Sequence, residues 1–289
     1  MSTPTDNPLY CWNINAAFWD ELMGDGGNDY FTDLELPALE RMSAIQGGER
    51  ALDLATGNGL VARWLAAQGA GSVIGTDGSE KMVEHARKRG VAAYGEDTAG
   101  GKMSYQVLDV TDEKALEEFI EREVESGGGG FDIITMNMAI MDIPTLDPIA
   151  AALPRLLRNG GRFIATLLHP LFFTSGASRL IEVGDDPISG SRQITQSIKV
   201  TKYLHVTPAK GVFLDGQPVP QIYHHRPLHS LLSPFLKTNS LVLDSLEEPN
   251  FDLDEEGRER ARVAQRLEAA RNFTQIPKIL AFRLRKVVV

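Results

Sequence analysis

Apolar and polar positions change their spacing several times along this chain, and each change marks an element. From Asn13 to Met23, Ala16, Ala17, Trp19, Leu22 and Met23 fall at helical offsets, and the Gly24-to-Asn28 run ends the pattern. Thr32 or Asp33 then caps a second helix reaching about Ile45, with Leu34, Leu36, Leu39 and Met42 inward. Five short apolar runs follow, at Arg50–Ala55, Ser72–Asp77, Ser104–Leu108, Asp132–Asn137 and Arg162–Leu168. Between them lie helical patterns at Leu60–Gln68, Ser79–Arg89, Asp112–Glu125 and Ile149–Leu157, the last opened by Asp147-Pro148. Strands alternating with helices of this length predict a parallel sheet covered on both faces.

After Pro170 the pattern changes. Arg192–Val206 is β-branched and partly alternating, and Val212–Tyr223 is similar but broken by proline, so the two are expected to pair as a small hairpin or cap. Pro227–Leu236 reads as helix, Ser240–Leu246 as strand, Asp254–Phe273 as a long charged helix and Lys278–Val289 as a final strand. Gly127 to Gly130 and Thr98 to Gly101 read as surface connections. The chain carries no internal repeat.

Composition narrows the function classes. A length of 289 residues with 43% hydrophobic and 24% charged residues suits a soluble globular protein with a large core. The formal net charge of −10, with only short basic runs, argues against nucleic acid as a main partner. One cysteine, Cys11, allows neither an internal disulfide nor a cysteine-based metal site. No targeting segment or membrane-length apolar run is visible, so a cytoplasmic location is expected.

Chemistry concentrates at the strand tips. The first strand ends in Asp53, followed by Ala55 and the turn Gly57-Asn58-Gly59, whose glycines let backbone approach a ligand. Asp77 ends the second strand, where a carboxylate binds ribose hydroxyls, and Asp109 with Val110 follows the third, suited to an adenine edge. Any one such acid is commonly a turn residue, but three at consecutive tips point to a nucleoside cofactor. Gly57-x-Gly59-x-x-Ala62 also fits the dinucleotide fingerprint, which keeps an NAD-dependent oxidoreductase as an alternative. Against it stand the long helical prefix and Asp53, which would repel a pyrophosphate.

Taken together, Asp53-x-Ala-x-Gly57-x-Gly59, Asp77, Leu108-Asp109-Val110 and Phe131-Asp132 through Asn137 resemble the ordered motifs of class I S-adenosylmethionine-dependent methyltransferases, over about Gly48 to Pro170. The last two strand patterns also suit that family, whose sheet ends in an antiparallel strand. Trp12-Asn-Ile-Asn-Ala-Ala-Phe-Trp19 and Tyr223-His-His-Arg-Pro-Leu228 are similar to a microbial small-molecule, natural-product subgroup. The resemblance implies an α/β Rossmann-like fold, with a mostly parallel seven-stranded sheet, helices on both faces and an antiparallel last strand. It divides the chain into a helical lid at 1–47 and a methyltransferase domain at 48–289, with a β-rich cap insertion at about 171–226. S-adenosylmethionine is the implied cofactor and S-adenosylhomocysteine the product. Asp53 and Gly57–Gly59 would hold its methionine part and Asp77 its ribose. Gly78 and Met82 would lie beside the adenosine, Asp109 and Val110 at the adenine, and Asn137 and Met138 near the methyl group. Ala55 stands where many members have glycine. No Asn-Pro-Pro-Tyr follows the fourth strand, which turns the expectation away from DNA-base and protein-glutamine acceptors.

The acceptor is expected beyond the carboxyl ends of the strands. His169 and His225 are the candidate bases, and Tyr10, Trp12, Trp19, Met141 and Tyr223 the candidate lid and substrate residues. Adjacent histidines in a strand point to opposite sides, so no metal site is expected. The reading is methyl transfer to an oxygen or nitrogen of a small molecule, with no membrane or nucleic-acid partner. A cofactor-binding protein without catalysis is a further alternative. The oligomeric state and acceptor are left open.

Overall fold

The computed structural model describes residues 4–94, 103–126, 128–251 and 273–287. Its centre is a seven-stranded sheet built from β1 (Arg50–Leu54), β2 (Ser72–Asp77), β3 (Met103–Val107), β4 (Phe131–Asn137), β5 (Leu157–Leu168), β10 (Leu241–Glu247) and β11 (Ile279–Lys286). The spatial order is β10-β11-β5-β4-β1-β2-β3. β1 pairs in parallel with β2 and β4, as β2 does with β3 and β4 with β5, whereas β11 runs antiparallel to both β5 and β10. This is the expected mostly parallel sheet with helices on both faces, and its last strand is antiparallel.

Helices cover the faces as the alternating patterns predict. One face packs against α5 (Glu113–Ile120), α6 (Asp147–Leu156) and α7 (Leu228–Leu236), through Phe119, Leu153 and Phe235 onto Leu52, Ile134 and Phe163. The other meets α2 (Leu36–Ser43), α3 (Leu60–Ala67) and α4 (Glu80–Tyr94), through Leu39, Leu65 and Val83 onto Ala51, Ile133 and Ile164. Successive strand residues alternate between these two clusters, as a period of two demands. Among the described residues no helix is long and apolar enough to cross a membrane.

Three local expectations change. α1 spans Pro8–Met23 and so begins five residues before the pattern suggested; Asn7 caps it, accepting from Leu9 N–H at 2.9 Å, with Pro8 in its first turn. The second prefix helix opens with a π-helical turn, Phe31–Glu35, before α2. Pro37 has no N–H to continue the ordinary ladder, and the Leu36 N–H reaches back five residues to the Phe31 carbonyl. In the cap, β7 (Arg192–Val200) pairs not with Val212–Tyr223 but with β6 (Ala177–Asp185), which the sequence reading left unassigned. The turn explains the choice. Asp186 Oδ1 accepts from Ile188 and Ser189 N–H at 2.9 and 2.7 Å, and Gly190 takes φ +67°. Tyr223 lies instead in β9 (Gln221–Tyr223), paired with β8 (Ala209–Gly211). The long charged helix expected at Asp254–Phe273 and the connection at Thr98 to Gly101 lie outside the described residues, apart from Phe273.

Candidate active site

β1 runs into a turn with three left-handed residues, Ala55, Gly57 and Gly59, at φ 51°, 57° and 82°. Thr56 N–H donates to the Thr76 carbonyl at 2.8 Å, and Gly59 N–H to the Thr56 carbonyl at 2.9 Å. A Cβ on Gly59 would lie 2.6 Å from Tyr105 Oη, so packing demands glycine there. Nothing lies within 4 Å of the corresponding point on Gly57. Gly57 therefore presents bare backbone to open space, a cradle that a side chain would fill.

Three carboxylates stand at consecutive strand tips around this turn. Asp53 is 1% exposed and lies beneath it, accepting from Thr56 Oγ1 at 2.5 Å and Thr135 Oγ1 at 2.7 Å. Burial pushes its carboxyl up to about 6 against the two hydroxyls, and the Asp77 charge adds to the rise. Asp53, expected with the glycine turn at the methionine part of the cofactor, thus braces the turn from below. Asp77 accepts from Gly57 N–H at 2.9 Å and Ser79 N–H at 2.8 Å, and burial, with the Asp109 charge in the same direction, lifts it to about 6. Asp109 Oδ1 accepts from Thr111 N–H and Oγ1 at 2.9 and 2.7 Å. Val110 and Met82 are buried beside this rim, and Met82 N–H donates to Ser79 Oγ at 3.2 Å.

β4 brings a fourth group. Asn137 Oδ1 accepts from Thr166 Oγ1 at 2.6 Å, while its Nδ2 donates to Glu35 Oε2 at 2.7 Å. Met138 follows with φ +51°, its N–H bonded to the Thr166 carbonyl at 2.9 Å. Glu35 was not singled out from sequence. It is 2% exposed, and burial raises its carboxyl to about 7 against the Asn137 bond.

The prefix lies across the turn. Asn58 Nδ2 donates to Asp20 Oδ1 at 3.2 Å and to the Gly24 carbonyl at 3.1 Å, and Asn13 Oδ1 accepts from Ser79 Oγ at 2.8 Å. A Cβ on Gly78 would sit 2.6 Å from Leu9 Cδ2. Leu9, Asn13 and Asp20 form the face of α1 packed on this turn, and Tyr10 is 41% exposed. Trp12 and Trp19, two turns apart, pack at 5.9 Å between ring centroids. Asn15 clips the same helix to the cap loop, exchanging bonds of 2.9 and 3.0 Å with Val219.

The candidate bases differ sharply. His169 is 2% exposed and both ring nitrogens are engaged, Nδ1 by Leu171 N–H at 3.3 Å and Nε2 by Glu248 at 2.9 Å. His225 Nε2 lies 2.6 Å from the Tyr203 carbonyl, which only accepts, so Nε2 carries the proton. Its Nδ1 is buried without a partner among the described residues and therefore bears a bare lone pair. Burial lowers the His225 pKa below the ordinary imidazole value, which keeps that lone pair free near neutrality.

A cavity of about 340 Å³ opens where β5 meets the cap, walled by Leu168, Phe172, Phe173, Ile198, Phe213 and Tyr223. Tyr223 donates its hydroxyl to the Phe173 carbonyl at 2.8 Å, and Met141, with its carbonyl bonded to His224 N–H at 2.6 Å, lies buried behind. Asp142, next in the chain, was also missed by the sequence reading. Burial pushes its carboxyl up to about 8, and its charge reaches the Tyr223 hydroxyl.

These features test the cofactor. The carboxylates of Asp77 and Asp109 beside the open Gly57 backbone, with Asp53 buried beneath it, suit a cationic nucleoside and repel a pyrophosphate. The comparisons agree. A family model described as a methyltransferase domain matches residues 51–161. A ubiquinone biosynthesis O-methyltransferase of Vibrio atlanticus (strain LGP32) is 23% identical over 186 residues, 63% of this chain and 69% of the relative. A 27-O-demethylrifamycin SV methyltransferase of Amycolatopsis mediterranei (strain S699) is 26% identical over 200 residues, 64% and 68%. The solved structure of an S-adenosylmethionine-dependent methyltransferase from Mesorhizobium loti superimposes with a TM-score of 0.59 at 24% identity, covering 87% of this chain and 97% of that one.

Proposed function

We propose that this chain, a class I S-adenosylmethionine-dependent methyltransferase of a microbial small-molecule type, methylates an oxygen of an apolar molecule seated under the β6–β9 cap. S-adenosylmethionine supplies a methyl carbon already activated by a positive sulfur, so the chain's task is to bind, orient and exclude water. The bare backbone at Gly57 and the Asp77 carboxylate would hold the nucleoside and its amino-acid tail, with Asp109 and Val110 at the base. Residues 1–47 act in this reading as a lid and about 171–226 as a cap.

The observation that carries the acceptor reading is the aromatic cavity beside β5. Its basic residues are committed elsewhere: Lys210 pairs with Asp6 at 2.5 Å, and the Arg179 guanidinium lies 5.7 Å from the Phe273 ring centroid. An uncharged aromatic or alicyclic acceptor suits such walls. An oxygen acceptor is favoured by the relatives, whose names describe O-methylation, and His225 Nδ1, buried and unprotonated, is the candidate to take the hydroxyl proton. His169, with both nitrogens bonded, serves to position the β5 exit. A secondary metabolite as acceptor and a cytoplasmic site of action belong to the same reading.

The test is calorimetric titration with S-adenosylhomocysteine and with NAD, followed by radiolabelled methyl transfer to a panel of phenols, alcohols and amines of matched size. Binding of S-adenosylhomocysteine and label in the phenols or alcohols is expected. Binding of NAD alone would overturn the donor, and label confined to amines would overturn the oxygen acceptor.

A further inference from the structure

The buried acids of this site are satisfied unequally. Asp53 has two hydroxyls and Asp77 two backbone amides, whereas Glu35 holds one amide hydrogen from Asn137. Asn137 Nδ2 is its one side-chain hydrogen-bond partner among the described residues, through Oε2, and no described cation pairs with the group. A buried carboxylate in this condition is costly unless a cation joins it. Leu34, next to Glu35 in the chain, lies in an apolar cluster with Phe251 and Ile279, and Tyr30 and Met138 pack against that cluster.

The position of Glu35 says which cation fits. Asp53 and Thr135 are partners in the β1–β4 ladder, and Ala55 and Asn137 lie two residues beyond them on the same face. Glu35, through Asn137, therefore reaches the mouth between the tips of β1 and β4, next to the glycine turn. Both Asp53 oxygens are already taken by the Thr56 and Thr135 hydroxyls under that turn, whereas Glu35 spends one oxygen on Asn137. We propose that Glu35, delivered from the prefix by the π-helical turn before Pro37, is the carboxylate that receives the α-ammonium of the methyl donor and its product. The reading rests on the methyl-donor assignment above and goes beyond it by naming a recognition residue outside the family motifs. It also gives the prefix a chemical part in donor binding. The raised carboxyl agrees with a group that lacks its counter-charge until a ligand arrives.

Two ligands separate this role from a structural one. S-adenosylhomocysteine carries the ammonium, and 5′-methylthioadenosine shares its thioether nucleoside but lacks the amino-acid end. Calorimetry of wild type and Glu35→Gln with both is the test. Glu35→Gln is expected to weaken S-adenosylhomocysteine roughly 10- to 100-fold, the loss of one charge-assisted contact, and to change 5′-methylthioadenosine less than about twofold. Equal losses on both ligands, or no loss on the first, would overturn the proposal. If Glu35→Gln does not fold by circular dichroism, Glu35→Asp takes its place, with a smaller but still selective loss expected. A wild type that binds neither ligand would instead sink the donor assignment itself.

Discussion

The backbone N–H of Gly57 donates to the Asp77 carboxylate at 2.9 Å, joining the turn after β1 to the tip of β2 across twenty residues of sequence. The acid that the ribose is expected to meet is thus already holding the glycine turn in shape. Burial and the neighbouring Asp109 keep that carboxylate under strain, at about 6 rather than the ordinary value.

Asp77→Asn should therefore separate binding from stability. The amide keeps one acceptor oxygen and removes the buried charge. We expect S-adenosylhomocysteine affinity to fall at least about tenfold, while the unfolding midpoint near pH 7.5 moves by less than about 2 °C. Calorimetry and a thermal melt on the same sample check both halves. A large drop in midpoint with affinity retained would contradict it.

Ala55 holds φ +51°, where a side chain is strained and glycine is not. Ala55→Gly relieves that strain but loosens the unfolded chain, so stability should change by between zero and about +1 kcal/mol. Ala55→Val should cost more than about 2 kcal/mol at the same place. Urea titration of the two variants measures the contrast.

The pH dependence of stability has a definite sign. Burial raises Glu35 to about 7 and Asp142 to about 8, so the folded state keeps protons that the unfolded state has released. Their contribution is complete below the ordinary carboxylate range and is lost as pH rises through the folded values. His169, His224 and His225 are lowered by burial and act in the opposite sense below about pH 6.5, while Lys278, lowered to about 8 by burial, acts oppositely above the window. Between about pH 6.5 and 7.5 the melting midpoint of the ligand-free protein should fall with rising pH. Glu35→Gln combined with Asp142→Asn should flatten that slope; an unchanged slope would discard these two groups as its source.

The two histidines should part under mutation. His225→Ala removes the bare Nδ1 and is expected to lower kcat for a hydroxyl acceptor by about 100-fold or more, with S-adenosylhomocysteine affinity kept. His169→Ala deletes a buried ring bonded to Leu171 and Glu248 and should lower the melting midpoint while leaving the shape of the pH–rate profile unchanged. Pre-steady-state rates and a melt on each variant settle the assignment.

The sheet, its order of elements and the glycine turn were legible because each depends on local spacing. Alternation of two and a run of Asp-x-Ala-x-Gly-x-Gly are properties of a few consecutive residues. What was hidden depends on where distant segments dock. Glu35 lies in Asp33-Leu34-Glu35-Leu36, where an acid between leucines reads as the wet side of an amphipathic helix; only the π-helical turn brings it to Asn137. Asp142 reads as an ordinary loop acid until the cap closes behind it. Most side chains of β6 are exposed, so burial leaves no apolar signature there and spacing alone does not mark it as the partner of β7. Leu9 lies ahead of the apolar pattern that marks α1, so its seat over Gly78 leaves no trace in the spacing.

The antiparallel strand carries a consequence for how the molecule is made. β11 is synthesised after the six other strands of its sheet, yet it lies between β5 and β10 with Ile279, Leu280, Ala281 and Phe282 buried. Until it emerges from the ribosome, the emerging chain offers two unpaired strand edges and uncovered apolar rows on both sides of the gap. Closing that gap joins residues more than a hundred positions apart, Ala165 with Phe282 among them, a pairing of high contact order. A nascent chain of this protein must therefore wait, with its sheet split, for β11 to enter as a wedge.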